Sequence, residues 1–252
     1  MRFTPQLRAL DWLVARPIAH RGLQDKAKGV IENTESAFAA AIRHGYPIEC
    51  DLRITGDGEA VVFHDETLDR VTVETGPVRG RGTAELKRAA FKSGRDRIQT
   101  LAELLEQVGG KVPLIIELKS HWDGDDALAA CALAALETYR GPRALMSFDP
   151  DLVEALRLRS PATVRGIAGD RAVDPYYSFL PLEQRLELRS FSHFARTEPH
   201  FISFDYRELP FAPVTAFRAA GGPVITWTIK SPEAATMARR YCDQITFEGF
   251  LP

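Results

Sequence analysis

The chain is poor in the features that would place it outside a reducing compartment or within a membrane. Its 252 residues hold only three cysteines, Cys50, Cys131 and Cys242. They are far apart and odd in number, which argues against a disulfide framework and for reduced thiols in the cytoplasm. No apolar run approaches the roughly 20 residues of a membrane span, and the amino terminus lacks the apolar core of a signal peptide, so stable membrane insertion is not expected. Excess positive charge is missing too. Lys and Arg number 32 against 34 Asp and Glu, a formal net charge of −2, which argues against a nucleic-acid binder held by a basic field. Short-period repeats and low-complexity tracts are also absent. What remains is an ordinary globular composition, 45% hydrophobic and 26% charged, long enough to bury a large core within one domain spanning 1–252. The sequence says nothing about oligomeric state.

One stretch organises the rest, from Pro47 to Asp65. It opens as an apolar strand with Glu49 and Asp51 at alternate positions, so both carboxylates project to one side. Asp57-Gly58 then signals a two-residue hairpin, because both residues tolerate the positive φ of a type I′ turn. With that turn Gly56 faces Glu59 and Asp51 lies opposite His64. Two carboxylates and an imidazole are gathered by one local fold.

Along the chain, helices and strands alternate. Residues 1–16 form a lead-in with a helical turn or two around Leu7, Leu10 and Leu13. Pro17–Gly22 is a short strand ending in His20 and Arg21. Asn33 and Thr34 cap a helix that Gly45 stops. After the hairpin, residues 65–99 are rich in Arg and Gly and weakly periodic, and read as an insertion over one end of the fold. Thr100-Leu101-Ala102-Glu103 is a capping box. Strands are then expected at 112–119, 144–148, 163–168, 201–204, 224–228 and 244–247. Helices are expected at 125–139, 150–159, 214–220 and 232–241. Segment 174–197 is harder to read. Leu186 and Leu188 suggest a helix there, and aromatic residues are scattered between 176 and 194. Without the hairpin's return arm the strands number eight, mostly separated by helices. That pattern predicts an α/β fold, a (β/α)₈ TIM barrel with a hairpin and small insertion after the second strand.

The polar residues fit that fold. His20, Glu49 with Asp51, Glu117 with Lys119, and Trp227 all sit at the carboxyl ends of strands, the face where such barrels carry their active sites.

In this order the motifs His20-Arg21-Gly22, Glu32-Asn33-Thr34, Glu49-Cys50-Asp51, His64-Asp65, Glu117-Leu118-Lys119 and Thr226-Trp227-Thr228 resemble the glycerophosphodiester phosphodiesterase family. Leu68–Thr72 with Gly76 is similar to the family's segment after the second histidine. The likeness is dense from Pro17 to Lys119 and thinner, but in order, to Thr246. Two departures stand out. Ile31 occupies a place where the family often has proline, and the last strand reads Thr246-Phe247-Glu248 where the family commonly has Thr-Asp. The second departure leaves a role for Glu248 unassigned. The resemblance implies a barrel enzyme that splits a small-molecule glycerophosphodiester into glycerol 3-phosphate and an alcohol.

Side-chain chemistry agrees with that expectation. Glu49, Asp51 and Glu117 form a three-carboxylate oxygen set without thiolate, suited to one hard divalent cation, Mg²⁺ or Ca²⁺. His20 and His64 make a general acid–base pair, since imidazole titrates near neutral pH. Arg21 and Lys119 are expected to contact phosphate, and Trp227 to wall off the glycerol carbons. Glu32 belongs at the site only through the resemblance.

Plainer readings attach to other residues. His44, His193 and His200 read as structural, and His121 as either a rim or a surface residue. Asp123, Asp125 and Asp126 lack calcium-loop spacing and read as helix caps, while Asp149 and Asp205 read as caps or turn residues. The aromatics of 176–194 are expected to pack a helix onto the barrel, the other reading being a hydrophobic lip for a lipid substrate. Alternatives on the same barrel are a lysophospholipase D, a specialised phosphodiesterase, or a catalytically silent binding barrel.

Overall fold

The apolar runs become strands because each has a helix or the barrel axis to bury against. The computed structural model describes residues 10–173 and 175–252, so Leu7 of the lead-in and Asp174 lie outside the described residues. The lead-in helix is a single turn, α1 (Asp11–Val14), followed by β1 (Ile18–His20), α2 (Glu35–His44) and β2 (Ile48–Ile54). The hairpin returns as β3 (Ala60–Val62), and α3 (Thr83–Leu86) and α4 (Leu101–Val108) precede β4 (Leu114–Leu118). Then come α5 (Ala127–Leu136), β5 (Arg143–Ser147), α6 (Pro150–Arg159) and β6 (Arg165–Gly169). The last part holds α7 (Leu182–Ser190), α8 (Phe194–Thr197), β7 (Phe201–Asp205), α9 (Ala212–Ala219), β8 (Val224–Ile229), α10 (Pro232–Ala238) and β9 (Gln244–Phe247).

Parallel pairing runs from β1 through β2, β4, β5, β6, β7 and β8 to β9, and β9 pairs back onto β1. Eight strands thus close a ring, with β3 bonded antiparallel outside it. Alternation sends one set of side chains inward and the other against the helices. Ile18, Ile115, Met146, Phe201 and Ile225 meet inside the barrel. Cys50, Leu52, Ile116, Phe204 and Ile245 join the larger layer between strands and helices.

Helix ends follow the sequence signals closely. The Thr34 hydroxyl accepts from Ala37 N–H at the start of α2, and Gly45 ends that helix with φ 68°. Thr100 and Glu103 make the reciprocal capping box of α4. The Asp149 side chain accepts from Asp151 N–H with Pro150 in the first turn of α6, and Asp205 caps the short turn after β7.

The hairpin register differs from the sequence expectation by one residue. Leu52 pairs with Val62, Arg53 with Val61 and Ile54 with Ala60. The Phe63 N–H donates to the Asp51 carbonyl, so Phe63, not His64, lies opposite Asp51. The reason is the loop. Three residues, Gly56-Asp57-Gly58, connect Thr55 to Glu59, and Gly58 alone is left-handed, with φ 84°. This is the three-residue hairpin with an αL glycine rather than the two-residue one. The Thr55 hydroxyl stabilises it by accepting from Glu59 N–H at 3.0 Å.

Residues 65–99 carry a small core of their own. Leu68, Val78, Leu86, Phe91 and Ile98 pack with Val61 and Phe63 of the hairpin. Arg79 ties this insertion to the segment after β4 through Asp123, at 2.5 Å, and Asp125. Segment 175–197 is irregular, a 3₁₀ turn at Pro175–Phe179 followed by α7 and α8.

Gly166 of β6 makes room for the Phe201 ring inside the barrel, where an added Cβ would meet that ring at 2.3 Å. Gly166→Ala is expected to destabilise the fold by about 1–3 kcal/mol through overpacking. A lowered urea midpoint at unchanged slope would measure it, and an unchanged midpoint would show that the barrel interior can yield.

Candidate functional site

The site starts from strand alternation. On β2, Glu49, Asp51 and Arg53 point inward while Cys50, Leu52 and Ile54 join the outer apolar layer. Glu117 of β4 lies in register beside Asp51. One oxygen from each of Glu49, Asp51 and Glu117 falls within 4.8 Å of the others, and all three residues are buried.

Carboxylates this close in a buried place cannot all ionise without compensation. Burial, and then the Asp51 and Glu117 charges, push the Glu49 carboxyl well above the usual range. Asp51 goes the other way. Burial opposes its ionisation, but the Lys119 and Arg21 cations hold its carboxyl well below that range. Lys119 Nζ lies 3.0 Å from Asp51 Oδ1 and also pairs with Glu117. Arg21 Nε lies 3.1 Å from Asp51 Oδ2, and the Arg21 backbone N–H donates to Glu49 Oε2 at 3.0 Å. Asn33 Nδ2 donates to Asp51 Oδ2 at 2.8 Å, while Asn33 Oδ1 accepts from Asp51 N–H. Of the pair expected to cap α2, Thr34 does the capping, and Asn33 holds the carboxylate instead. Arg21 and Asn33 both adopt φ 56°, left-handed backbone that turns their polar groups toward the cluster.

The three-carboxylate set suits a hard divalent cation. Its donors are all oxygen and lie within 4.8 Å of one another, and burial together with the Asp51 and Glu117 charges raises the Glu49 carboxyl, a crowding of acidic groups that a cation would relieve.

Two imidazoles flank the cluster, each tied to a carboxylate. His20 ends β1 in register with Glu49, and its Nδ1 lies 2.7 Å from Glu248 Oε2. Since a carboxylate only accepts, Nδ1 carries the proton and Nε2 keeps its lone pair, facing Glu49 at 3.9 Å. Burial lowers the His20 pKa despite the opposing hydrogen bond to Glu248. Glu248 also receives Lys230 Nζ at 2.7 Å. With its His20 hydrogen bond outweighing burial, its carboxyl falls to about 2. On the other side His64 Nδ1 lies 2.6 Å from Asp65 Oδ1. Arg70 joins Asp65 to Glu32, 2.6 Å from each, and Arg21 Nη1 reaches the same Glu32 at 2.5 Å. A continuous chain of alternating charge therefore links His64 to the carboxylate cluster. Burial would raise the Glu32 carboxyl, but Arg70 and Arg21 together bring it to about 2.

The remaining wall is aromatic. Trp227 packs edge-on against Phe148 with centroids 5.5 Å apart, its Nε1 donates to the Ser203 carbonyl at 3.2 Å, and Lys119 Nζ lies 5.8 Å from the Phe148 centroid.

All eight residues picked from the sequence lie at this end of the barrel. Those not picked are Glu248, Asp65, Asn33, Arg53, Arg70 and Phe148. Arg53 was within reach, because it continues the 49, 51 alternation; its Nε donates to the His64 carbonyl at 3.0 Å. Asp65 stood beside His64. Glu248 had only its place after the last strand. Two of the histidines outside the site are held in the fold. His193 is buried beside Phe191 and Phe194, with burial lowering its pKa to about 4, and His200 Nδ1 accepts from Arg165 N–H. Asp125 accepts from Ala127 N–H at the start of α5, as a cap does. Tyr177, Phe191 and Phe194 pack inward as expected, whereas Tyr176 and Phe179 do not and stand exposed.

Fold and site together define a (β/α)₈ barrel with a buried carboxylate triad and two carboxylate-bound imidazoles at its C-terminal face. The chain belongs to the glycerophosphoryl diester phosphodiesterase family, whose model matches residues 20–247. A glycerophosphodiester phosphodiesterase of Caldanaerobacter subterraneus is 44% identical over 111 residues, 41% of this chain and 44% of that protein. Glycerophosphodiester phosphodiesterase 1 of Bos taurus is 30% identical over 168 residues, 61% of this chain and 50% of that protein. The matched stretches thus span about half the length of these curated relatives. Among solved structures, the Thermotoga maritima glycerophosphodiester phosphodiesterase superimposes with a TM-score of 0.69 and 26% identity, covering 91% of this chain and 92% of that one. An Oleispira antarctica phosphodiesterase in complex with the product sn-glycerol-3-phosphate gives 0.75 and 23%, covering 92% and 91%. Among the described residues no helix is long and apolar enough to cross a membrane.

The ion pairs of Glu32 predict a pH signature. Its carboxyl lies below the ordinary 4.5, at about 2, so its stabilisation is complete above pH 4.5 and is lost as pH falls toward 2. Glu32→Gln is expected to lower stability at neutral pH by on the order of 2–3 kcal/mol and to flatten the slope between pH 4.5 and 2. Urea titrations across that range measure both, and an unaltered slope would mean that Glu32 is not the group titrating.

Proposed function

We propose that the protein hydrolyses glycerophosphodiesters to glycerol 3-phosphate and an alcohol. The observation that carries this reading is the pairing of two oriented imidazoles with a buried, charge-compensated carboxylate triad. His20, neutral and with its Nε2 lone pair toward the triad, accepts the proton of the attacking hydroxyl. His64, held by Asp65, returns a proton to the departing alkoxide. Arg21 and Lys119 hold the phosphate, by forked donors and by point charge respectively. Trp227 and Phe148 exclude water beside the glycerol carbons. Glu49, Asp51 and Glu117 would hold one divalent cation, Mg²⁺ or Ca²⁺. When bound, it neutralises phosphate charge and orients the diester. The Oleispira neighbour's product complex supports a small-molecule substrate. The cysteines, all free, support a cytoplasmic enzyme of glycerol and lipid metabolism, acting as one domain with residues 65–99 as its insertion.

Release of glycerol 3-phosphate from glycerophosphocholine and glycerophosphoethanolamine is expected with Mg²⁺ or Ca²⁺ and is expected to stop with chelator. No release with either cation, across a broad panel of diesters, would move the reading to a silent binding barrel. His20→Ala and His64→Ala are each expected to lower turnover by roughly two to four orders of magnitude at unchanged circular dichroism. A variant with near wild-type turnover would remove that histidine from the reaction. Glu49→Gln is expected to raise the cation concentration needed for half-maximal rate before it abolishes activity.

A further inference from the structure

The connection between β6 and β7 turns large apolar side chains outward. Among the described residues, ten large hydrophobic side chains are exposed, and five of them, Val173, Tyr176, Phe179, Leu182 and Leu186, lie within this one connection at 51–66% exposure. Leu182 and Leu186 stand one turn apart on α7, none of whose nine residues is buried. Of its three leucines only Leu188 turns partly inward, packing against Ala172, Tyr177 and Leu180, and exposed apolar side chains grouped in this way are a signature of an interaction surface.

The patch borders the mouth of the site. Phe179 packs edge-on against Trp122 at 6.2 Å, three residues beyond Lys119. Tyr176 packs in turn on Phe179 at 6.1 Å. An occupant of the patch is therefore continuous with whatever enters the barrel mouth. A second copy of the chain seated there would cover that mouth.

Shape favours a lipid surface over a single lipid chain. The side chains project rather than line a groove, and the space beneath them, walled by Phe148, Tyr177, Leu188 and Phe191, holds only about 10 Å³, barely a water. α7 also has the make-up of a short interfacial helix. Leu182 and Leu186 share one face, while Arg189 is turned inward by its Nε hydrogen bond to the Ala172 carbonyl at 2.9 Å. Glu183 and Glu187 balance the charges of Arg185 and Arg189, so apolar insertion, rather than attraction to anionic headgroups, supplies the binding.

We infer that Val173, Tyr176, Phe179, Leu182 and Leu186 form a lip that docks onto the interfacial layer of a phospholipid bilayer, presenting the barrel mouth to it. The docking is independent of the phosphodiesterase reading, since it is measured without turnover. In flotation with phosphatidylcholine vesicles, the full chain is expected to rise with the lipid at both low and high salt. The triple variant F179S/L182S/L186S is expected to partition at least about tenfold less, with circular dichroism and urea midpoint unchanged as the check on folding. Wild-type protein that stays with the buffer, or a variant that floats equally well, would overturn the inference. Wild-type self-association that the variant abolishes, with no flotation, would assign the lip to a second copy. A raised KM of the variant for monomeric lysophosphatidylcholine, again with no flotation, would assign it to a single acyl chain.

Discussion

Everything at the mouth of this barrel answers to one constraint: three carboxylates have been placed together away from bulk water. Strand alternation puts Glu49 and Asp51 on one face of β2, and the parallel register brings Glu117 level with Asp51. Such a cluster would protonate or come apart without fixed positive charge and donors nearby. The neighbouring elements supply them. The left-handed turn after β1 aims the Arg21 amide and guanidinium inward. The residue before the cap of α2 is an asparagine that grips Asp51 by both ends of its amide. β4 runs out into Lys119, which neutralises Asp51 and Glu117 together. Conformations that look locally costly, Arg21 and Asn33 at positive φ, make sense as the means of compensating that charge.

The same electrostatic economy extends to the imidazoles, each of which has a carboxylate at Nδ1 and so a fixed tautomer. The two carboxylates are far apart in the chain and are themselves held by cations, Lys230 on one side and Arg70 on the other. Arg70 lies in the 65–99 insertion, which the sequence places over one end of the fold. Its small apolar core fixes the segment against the hairpin, and that fixes the guanidinium joining Asp65 to Glu32.

The fold was legible in the sequence wherever a periodic pattern was bounded by a chemical signal. Asp149-Pro150 before an apolar helix, Thr100 with Glu103, and Gly45 after α2 marked boundaries that the structure keeps. The barrel itself was legible from eight strands alternating with helices. The hairpin register was not. Asp-Gly suits a two-residue turn, but Gly56-Asp57-Gly58 is also a good three-residue loop, and the Thr55 hydroxyl favours the latter through a contact outside the turn dipeptide. Segment 174–197 resisted because its apolar side chains serve two ends, some packing inward and others left outside, so no single period describes them. At the site, residues on one strand face could be grouped by alternation. Glu248 could not be matched to His20, because no local pattern connects positions 228 residues apart in the chain.

That last pair joins the two edges of the sheet. β1 and β9 are the first and last strands of the ring, and their pairing closes it. The hydrogen bond from His20 to Glu248 crosses that seam at its upper end. During synthesis His20 is made early and waits for its acceptor until nearly the whole barrel has emerged. A partly assembled sheet, however native its other strands, leaves that imidazole unanchored and free to rotate. Closure of the ring and completion of the imidazole's surroundings are one structural event, so the order at His20 reports whether the barrel has shut.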